Sequence, residues 1–267
     1  MHAYVVGTEW LTPALVRVVL GGGALDGFAM VSATDAYVNL AFPPEGASYG
    51  GVFDPAAVRA DRAREDWPVR RRYTVRSWDA VARQLTIDFV VHGDDGVAGR
   101  WASSATVGDV LVFDGPSGGY RPEPTADWHL FVGDESALPA IAASVEALPT
   151  DALAVVRVVC DGPDHHVELH SAATVDVRWL HRDGTPQDGE LLASAVQDLA
   201  FPPGSGHAFV HGEAEEIRAV RRHLLQGRGW ARAAMSCSPY WRRTMTDEAW
   251  RSVKRDFVAV MEAEFVA

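Results

Sequence analysis

The chain has 267 residues, 48% of them hydrophobic, which is enough to fill the cores of two domains. Its net charge of −12 argues against a general nucleic-acid or anionic-membrane binder, because both partners are polyanions. The start of the chain lacks a signal-peptide pattern and no stretch approaches the roughly 18 apolar residues of a membrane span, so we expect a cytoplasmic protein without membrane insertion. Cys160 and Cys237 lie far apart, which predicts free thiols rather than a disulfide framework or a thiolate metal site.

The first half of the chain reads as short β-strands separated by turn residues. In the clearest strand Leu85, Ile87 and Phe89 alternate with polar or smaller residues, as in a strand with one buried face. The pattern predicts a small antiparallel barrel, interrupted at 43–68 by an inserted loop with about one helical turn. The predicted strands are 14–20, 36–42, 71–77, 84–92 and 109–115.

A Pro-rich stretch at 119–127 precedes a second pattern in which strands alternate with helices. This alternation favours βαβ units around a parallel, Rossmann-like sheet. We therefore predict a barrel domain at 1–124 and an α/β domain at 125–267 that ends in an amphipathic helix opening at Asp247. The predicted strands are 128–134, 152–159, 175–181 and 207–212, and the predicted helices between them are 137–148 and 214–226.

The segment "RRYT" places a cation beside an aromatic ring. Strand alternation sends Arg71 and Tyr73 to one face and Arg72 and Thr74 to the other. A flavin dinucleotide needs a guanidinium for its pyrophosphate and an aromatic surface for its ring system, and the Thr74 hydroxyl or amide suits the flavin N5 region. An edge strand with solvated arginines and a tyrosine in the core fits the tetrapeptide equally well.

The segment "HGDDGVAGRWA" comes after a predicted strand and contains a glycine-rich turn. A short helix is predicted to begin near Val97, so that free amides around Gly96 point at whatever precedes the helix. Such a turn suits a phosphate group. His92, at the strand end, is positioned to face a flavin, although a lone histidine is more often structural, and Trp101 fits a core position better than a ligand position.

Six motifs occur together in a fixed order: "RRYTVR", "HGDDGVAGRWA", "VGDESALPAI", "WLHRDG", "HGE" and "YWRR". In this order and spacing the chain resembles the siderophore-interacting protein family over essentially its whole length. The resemblance implies an FAD-dependent ferric-siderophore reductase of the ferredoxin-reductase-like class that uses NADPH or NADH. It implies an FAD-binding barrel followed by an NAD(P)H-binding domain, and a monomer whose substrate is a ferric siderophore.

The same resemblance assigns candidate residues to the cofactors. The flavin set is Arg71, Tyr73, Thr74, His92, Gly96, Val97, Ala98 and Trp101. The strand-to-helix turn near flavin and nicotinamide supplies Asp134, Glu135 and Ser136, and the C-terminal motif supplies Tyr240 and Trp241. This turn is not G-x-G-x-x-G, so the phosphate contacts of that fingerprint do not transfer unaltered.

Donor preference depends on the residues that lie just after the sheet strands. Arg182 is a candidate for binding the 2′-phosphate of NADPH, whereas Asp161 is a candidate for binding the unphosphorylated ribose of NADH. Because the family commonly uses NADPH, we expect NADPH. Arg182 as a solvated loop residue stays an alternative.

The segment "CSPYWRRTM" departs from the family pattern, because Pro239 stands where a glycine is common. We treat 237–245 as an altered loop that puts nicotinamide access in doubt. The candidates that could supply positive charge for binding the substrate are then Arg121, Arg242, Arg243 and Lys254. Taken singly, each of them is by default a solvated surface residue.

No catalytic side chain is predicted, because reduction of a ferric chelate needs an electron carrier rather than a nucleophile. The His- and Asp-rich segment 161–170 is interpreted as surface without a tetrahedral ligand set, so no protein metal site is expected. Two alternatives stay open. One is another flavin reductase of the same fold, acting on ferredoxin or a small acceptor, and the other is a non-catalytic siderophore-binding protein.

Overall fold

The computed structural model describes residues 1–91 and 96–264, and it divides into two compact units. The first unit comprises Met1–Arg121, and the second begins at Pro122. Each unit has its own sheet.

The first unit is built on an antiparallel, barrel-like sheet, as the sequence predicts. Its strands are β1 (His2–Thr12), β2 (Leu15–Gly21), β3 (Tyr37–Phe42), β4 (Val69–Thr74), β5 (Ser77–Asp79), β6 (Gln84–Val90) and β7 (Val110–Ser117). Over the described residues the order is β4-β3-β7-β1-β2-β6-β5. Leu85, Ile87 and Phe89 of β6 are fully buried, because the alternation in β6 directs one face into the apolar core.

Two strands of this sheet differ from the prediction. β1 is not predicted, because register shifts after Val5 and after Trp10 break its period. The predicted strand 71–77 is two strands, since the Val75 amide bonds to the Ala36 carbonyl of the β3 side and the Arg76 amide bonds to the Thr86 carbonyl of β6. The chain therefore changes its partner strand just after the "RRYT" segment.

The 43–68 insertion contains more helix than predicted. Helix α1 spans Pro55–Asp61 and is followed by a 3-10 turn at Arg64–Asp66. The Asp54 side chain caps α1 by accepting a hydrogen bond from the Ala56 amide at 2.8 Å, and Pro55 starts the first turn. Helix α2 (Val97–Ser104) lies between β6 and β7 in the chain, where a helix near Val97 is predicted.

The second unit is a parallel sheet with helices between its strands, which confirms the Rossmann-like prediction. Its strands are β8 (Trp128–Asp134), β9 (Leu153–Cys160), β10 (Thr174–His181), β11 (Gly206–Glu213) and β12 (Met235–Trp241). Its helices are α3 (Leu138–Glu146), α4 (Leu191–Gln197), α5 (Ala214–Arg222) and α6 (Asp247–Ala263). The order among the described strands is β10-β9-β8-β11-β12. Residues of β8, β9, β11 and helices α4 and α5 share one apolar core.

The interpretation of 237–245 as a loop is wrong over its first half. β12 pairs in parallel with β11, and Pro239 lies opposite Gly212. β12 is the edge strand of the sheet, and an edge strand accepts proline because its missing N–H is not needed by a further neighbour. Helix α4 is also absent from the prediction; it has only seven residues, too few for a clear period.

None of the helices in the described segments 1–91 and 96–264 has the length and hydropathy needed to cross a bilayer.

Candidate functional site

Strand β4 places Arg71 and Tyr73 on one face of the first unit's sheet. Arg71 pairs with Leu40 and Tyr73 pairs with Val38, so both side chains share the face of those buried residues. The Tyr73 ring lies 4.5 Å from the Phe89 ring at an angle of 33°, and the side chain is half-buried. Part of Tyr73 therefore packs on the core. The half-buried Arg71 donates a hydrogen bond from Nη1 to the Arg70 carbonyl at 3.0 Å.

The neighbouring arginines of β4 have different roles. Arg70 is buried and donates from Nη2 to the Asn39 carbonyl at 2.8 Å and to the Asp114 carboxylate. Arg72 is exposed, and its guanidinium lies over the Tyr37 ring at 5.3 Å. Both contacts tie β4 to the rest of its sheet. Arg71 is the arginine of this strand that shares a face with Tyr73, as the sequence predicts from alternation.

Thr74 ends β4 as a buried residue opposite Tyr37. The Thr74 hydroxyl therefore lies one residue after Tyr73, at the point where the chain stops pairing with the β3 side and begins to pair with β6.

Helix α2 begins directly after Gly96, at the glycine-rich segment that the sequence assigns to the flavin. His92 lies outside the described residues. Gly96 is the N-cap of α2 in an extended conformation and makes no side-chain capping bond, so the first amides of the helix have no cap from that residue. A Cβ at Gly99 would approach the Val90 carbonyl oxygen at 3.2 Å, so the glycine allows α2 to lie close against the end of β6.

The predicted residues of α2 are used mainly in packing. Trp101 is half-buried, with its ring 5.9 Å from that of Phe42 and 5.6 Å from that of Phe89. Ala98 is buried in the same core, and Val97 packs against it. Trp101 therefore occupies a core position.

Asp134 connects three parts of the second unit at the carboxyl end of β8. Its Oδ1 accepts a hydrogen bond from the Ser136 amide at 2.9 Å. Its Oδ2 accepts from the Glu213 amide at 2.9 Å and from Trp241 Nε1 at 2.8 Å. Asp134 is buried, so these bonds form where water does not compete. The carboxylate thereby joins the ends of β8, β11 and β12.

Glu213 and Glu216 form an acidic cluster beside Asp134 that the sequence does not single out. Glu213 caps α5 by accepting hydrogen bonds from the Glu215 amide at 2.8 Å and the Glu216 amide at 3.0 Å. Arg243 contributes its amide to Glu213 at 3.0 Å and its Nη2 to Glu216 at 2.6 Å. The available sequence signal is the "HGE" motif at the end of β11, which by itself assigns no role to any of its residues.

Burial, together with the Asp134 and Glu213 charges, raises the pKa of Glu216 to about 7. Glu216 is buried, and it holds its proton more tightly in the folded protein than its ordinary pKa of 4.5 would allow. The wild-type chain is therefore expected to lose free energy of unfolding as the pH rises from 4.5 to about 7.

The E216Q variant is expected to lack this loss. The difference in free energy of unfolding between E216Q and the wild type should change by on the order of 3 kcal/mol across that window, since one pKa unit corresponds to about 1.36 kcal/mol. Urea unfolding at a series of pH values measures it. E215Q, which removes an exposed carboxylate of the same helix, is the control and should run parallel to the wild type. Parallel curves for E216Q would contradict the assignment.

Arg182 is bound to two carboxylates at the carboxyl ends of β8 and β9. Its Nη1 and Nη2 donate to the two Glu135 oxygens at 2.7 and 2.9 Å, and Nη1 also donates to Asp161 at 2.8 Å. Both predicted donor-recognition residues, Arg182 and Asp161, are thus in one ion-pair cluster. The alternative of a solvated Arg182 does not hold, because its side chain is only 15% exposed.

The C-terminal motif lies in β12 and just beyond it. The Tyr240 ring is 5.1 Å from the ring of His211, which is buried at the end of β11, and the two rings meet edge to face. Arg242 pairs with Glu215 at 2.7 Å, in the same way that Arg243 pairs with Glu216. Arg242 and Arg243 therefore offer less net positive charge than the sequence suggests. Lys254 is half-buried on α6.

Burial and the Lys254 charge lower the pKa of His211 to about 3, so its imidazole is neutral near neutral pH.

Arg121, in the first unit, is exposed and donates to the Ser32 carbonyl at 3.3 Å.

Comparison with known proteins identifies the family. Residues 4–120 match the model of the siderophore-interacting FAD-binding domain, and residues 126–244 match the model of the siderophore-interacting protein. The ferric vibriobactin reductase ViuB of Vibrio cholerae is 34% identical over 97% of this chain and 94% of its own length. The chain belongs to the siderophore-interacting protein family.

Other members of the siderophore-interacting protein family support the assignment. A protein of Mycobacterium tuberculosis described as uncharacterized is 42% identical over 96% of this chain and 95% of its own. The crystal structure of a siderophore utilization protein from T. fusca has a TM-score of 0.78 and 37% identity, over 92% of this chain and 94% of that one. The family resemblance inferred from the six motifs is confirmed.

The ferredoxin-reductase-like fold is confirmed as well. A ferredoxin NADP+ reductase from Neisseria gonorrhoeae, crystallised with FAD and NADP, has a TM-score of 0.58 at 14% identity over 90% of this chain and 98% of that one. At this identity the likeness concerns the fold alone.

Proposed function

We propose that this siderophore-interacting protein is a ferric-siderophore reductase that transfers electrons from NAD(P)H through FAD to Fe(III)-siderophore and releases Fe(II). The observation that carries the proposal is the likeness to ferric vibriobactin reductase along 97% of the chain, which includes both the FAD-binding segment and the α/β segment. The substrate is a ferric siderophore, and the iron is cargo rather than a resident ion.

The residues of the first unit fit a flavin dinucleotide. Arg71 and Tyr73 share one face of β4, and the first amides of α2 follow directly after Gly96. We assign Arg71 and the α2 amides to the pyrophosphate, because charge-assisted and helix N-terminal hydrogen bonds both stabilise phosphate oxygens. Tyr73 is assigned to the flavin ring and Thr74 to its N5 region. Ala98 and Trp101 support these groups from the core.

Reduction of a ferric chelate breaks no covalent bond, so the protein needs no nucleophile or acid–base pair. When bound, FAD supplies the exchange between a two-electron donor and one-electron acceptors. One NAD(P)H therefore reduces two ferric siderophores. Oxygen donors hold ferric iron more strongly than ferrous iron, so reduction lets the iron pass to other ligands. The protein contributes orientation and the electrostatics of its binding faces.

NAD(P)H is assigned to the carboxyl edge of the parallel sheet, where open α/β sheets bind their ligands. Asp134, Glu135 and Ser136 lie at the end of β8, and Tyr240 and Trp241 end β12. Arg182 favours a 2′-phosphate only if that phosphate displaces Glu135 or Asp161 from the guanidinium. Both NADPH and NADH therefore belong in the test.

The test is an anaerobic titration of the FAD-loaded protein. NADPH, or NADH in a parallel sample, should bleach the flavin absorbance, and a ferric siderophore added next should restore it with two Fe(II) trapped by a chromogenic chelator for each NAD(P)H consumed. Restoration by ferredoxin or a small acceptor but by no ferric siderophore would favour another flavin reductase. No bleaching by either nucleotide would favour a binding protein, and a protein that stays colourless in FAD would contradict the proposal.

A monomeric state and a cytoplasmic location stay predictions of the sequence. Arg121, Arg242, Arg243 and Lys254 stay predicted contacts of the anionic siderophore.

A further inference from the structure

The ends of β9 and β10 bring a thiol and an imidazole together. Cys160 and His181 are the last residues of the two strands and are paired in the parallel register. Paired residues of neighbouring strands project from the same face of a sheet. Cys160 is buried, whereas His181 is exposed. A metal-binding sulfur and a metal-binding nitrogen are therefore held side by side by the sheet itself.

The loop after β9 adds a second imidazole to this pair. A 3-10 turn at Pro163–His165 reverses the chain and places His166 Nε2 2.8 Å from His181 Nε2. The His166 ring stacks on Trp179, with centroids 4.7 Å apart and planes at 15°, and it also stacks on His181 at 5.0 Å. Trp179 lies two residues before His181 on β10, hence on the same face. The strand thus fixes the orientation of the His166 ring.

The donor atoms of Cys160, His166 and His181 all lie within 4.8 Å of one another. A tetrahedral zinc ion with Zn–N near 2.1 Å and Zn–S near 2.3 Å requires neighbouring donors about 3.3–3.6 Å apart. The two imidazole nitrogens, 2.8 Å apart, are closer than this range and must separate by about 0.5 Å, which small rotations of the two exposed histidine side chains allow. We propose that Cys160, His166 and His181 bind a divalent transition-metal ion of the zinc class, with a fourth position open to water.

The donor set selects the kind of ion. One thiolate and two imidazoles favour borderline and soft ions over Mg²⁺ or Ca²⁺, which prefer oxygen ligands. On binding, the thiol proton is released to solvent, so the affinity should increase with pH. The sequence does not suggest this site, because it does not reveal that Cys160 and His181 are sheet neighbours.

A neighbouring cluster of Glu135, Asp161 and His165 is the weaker candidate. Its two carboxylates already accept hydrogen bonds from Arg182, so a metal ion there would have to displace a guanidinium. The two carboxylates outnumber the single Arg182 guanidinium, so the cluster leaves one net negative charge near the thiol, which favours a dication at the Cys160 cluster. The proposal does not depend on the reductase function.

Titration of the FAD-loaded protein with Co²⁺ tests the site. Cobalt bound by a thiolate in tetrahedral geometry gives two signals. One is a sulfur-to-cobalt charge-transfer band, and the other is a set of visible cobalt bands at longer wavelength than the flavin absorption. The wild type should develop both with one equivalent of Co²⁺, and Zn²⁺ should abolish them. C160S should lose the charge-transfer band, and H166A and H181A should each weaken Co²⁺ binding by about 10-fold to 100-fold.

Two controls match these variants. H170A removes an exposed histidine of the same loop, and C237S removes the other cysteine; both should bind Co²⁺ like the wild type. If C160S does not fold, the double variant H166Q/H181Q tests the same site through exposed residues. The proposal is overturned if the wild type gives no thiolate band at stoichiometric Co²⁺, or if the band survives in C160S or in the double variant.

Discussion

R71A is expected to lower the affinity of the protein for FAD by about 100-fold. A charge-assisted hydrogen bond contributes roughly 1.5–3 kcal/mol, and about 1.4 kcal/mol corresponds to a factor of ten in affinity. Arg71 is assigned to the pyrophosphate because it shares the β4 face of Tyr73. Calorimetric titration of the FAD-free protein with FAD gives the affinity, and the absorbance of the purified protein gives the flavin content.

R72A is the matched control for R71A. It removes the same side chain from the next position of β4, where Arg72 is exposed and lies over the Tyr37 ring at 5.3 Å. We expect R72A to keep the wild-type flavin content. Equal losses in R71A and R72A would mean that the strand supplies general positive charge, and full retention in R71A would remove Arg71 from the flavin site.

D134N is expected to lower the free energy of unfolding by about 3 kcal/mol. Both Asp134 oxygens accept hydrogen bonds, from Ser136 on one side and from Glu213 and Trp241 on the other. In asparagine an NH2 group replaces one of the two oxygens, so that a hydrogen-bond donor faces the N–H or O–H groups that the oxygen had accepted from. A buried group that loses its partner costs roughly 1–3 kcal/mol, and more where a charge takes part.

Urea unfolding followed by tryptophan fluorescence measures this loss. D127N is the control, because Asp127 likewise accepts hydrogen bonds from backbone and side chain, the Ser205 amide at 2.6 Å and the Ser205 hydroxyl at 2.8 Å, but is exposed and binds both through one oxygen. Its loss should be much smaller. If D134N and D127N lose the same amount, the Asp134 bonds do not gain strength from burial.

Local patterns predict some strands of each sheet and miss others. The alternation in β6 predicts a strand correctly because one face packs on a core. β1 escapes prediction because two register shifts break its period, and β12 escapes it because Pro239 and the serines before it resemble a turn. Only the neighbouring strand β11 makes β12 a strand.

The candidate site shows the same division between local and distant information. Strand alternation alone puts Arg71 and Tyr73 on one face, because that relation involves residues two apart. The acceptors of Arg182 are Glu135, 47 residues away, and Asp161, 21 residues away, and no local pattern predicts such pairing. The acidic cluster around Glu216 escapes prediction for the same reason, since its partners come from β8, β11 and the segment after β12.

By itself the sequence determined the family, the order of a barrel-like sheet and a parallel sheet, and the segments that contact flavin in the proposed function. These three features follow from the hydrophobic periodicity and the order of the motifs, both of which are properties of residues close together in the chain. Tertiary structure alone decided which charges neutralise each other and that Cys160, His166 and His181 meet. Such contacts depend on strand register and loop return, and these are set by packing between distant segments rather than by residues near in the chain.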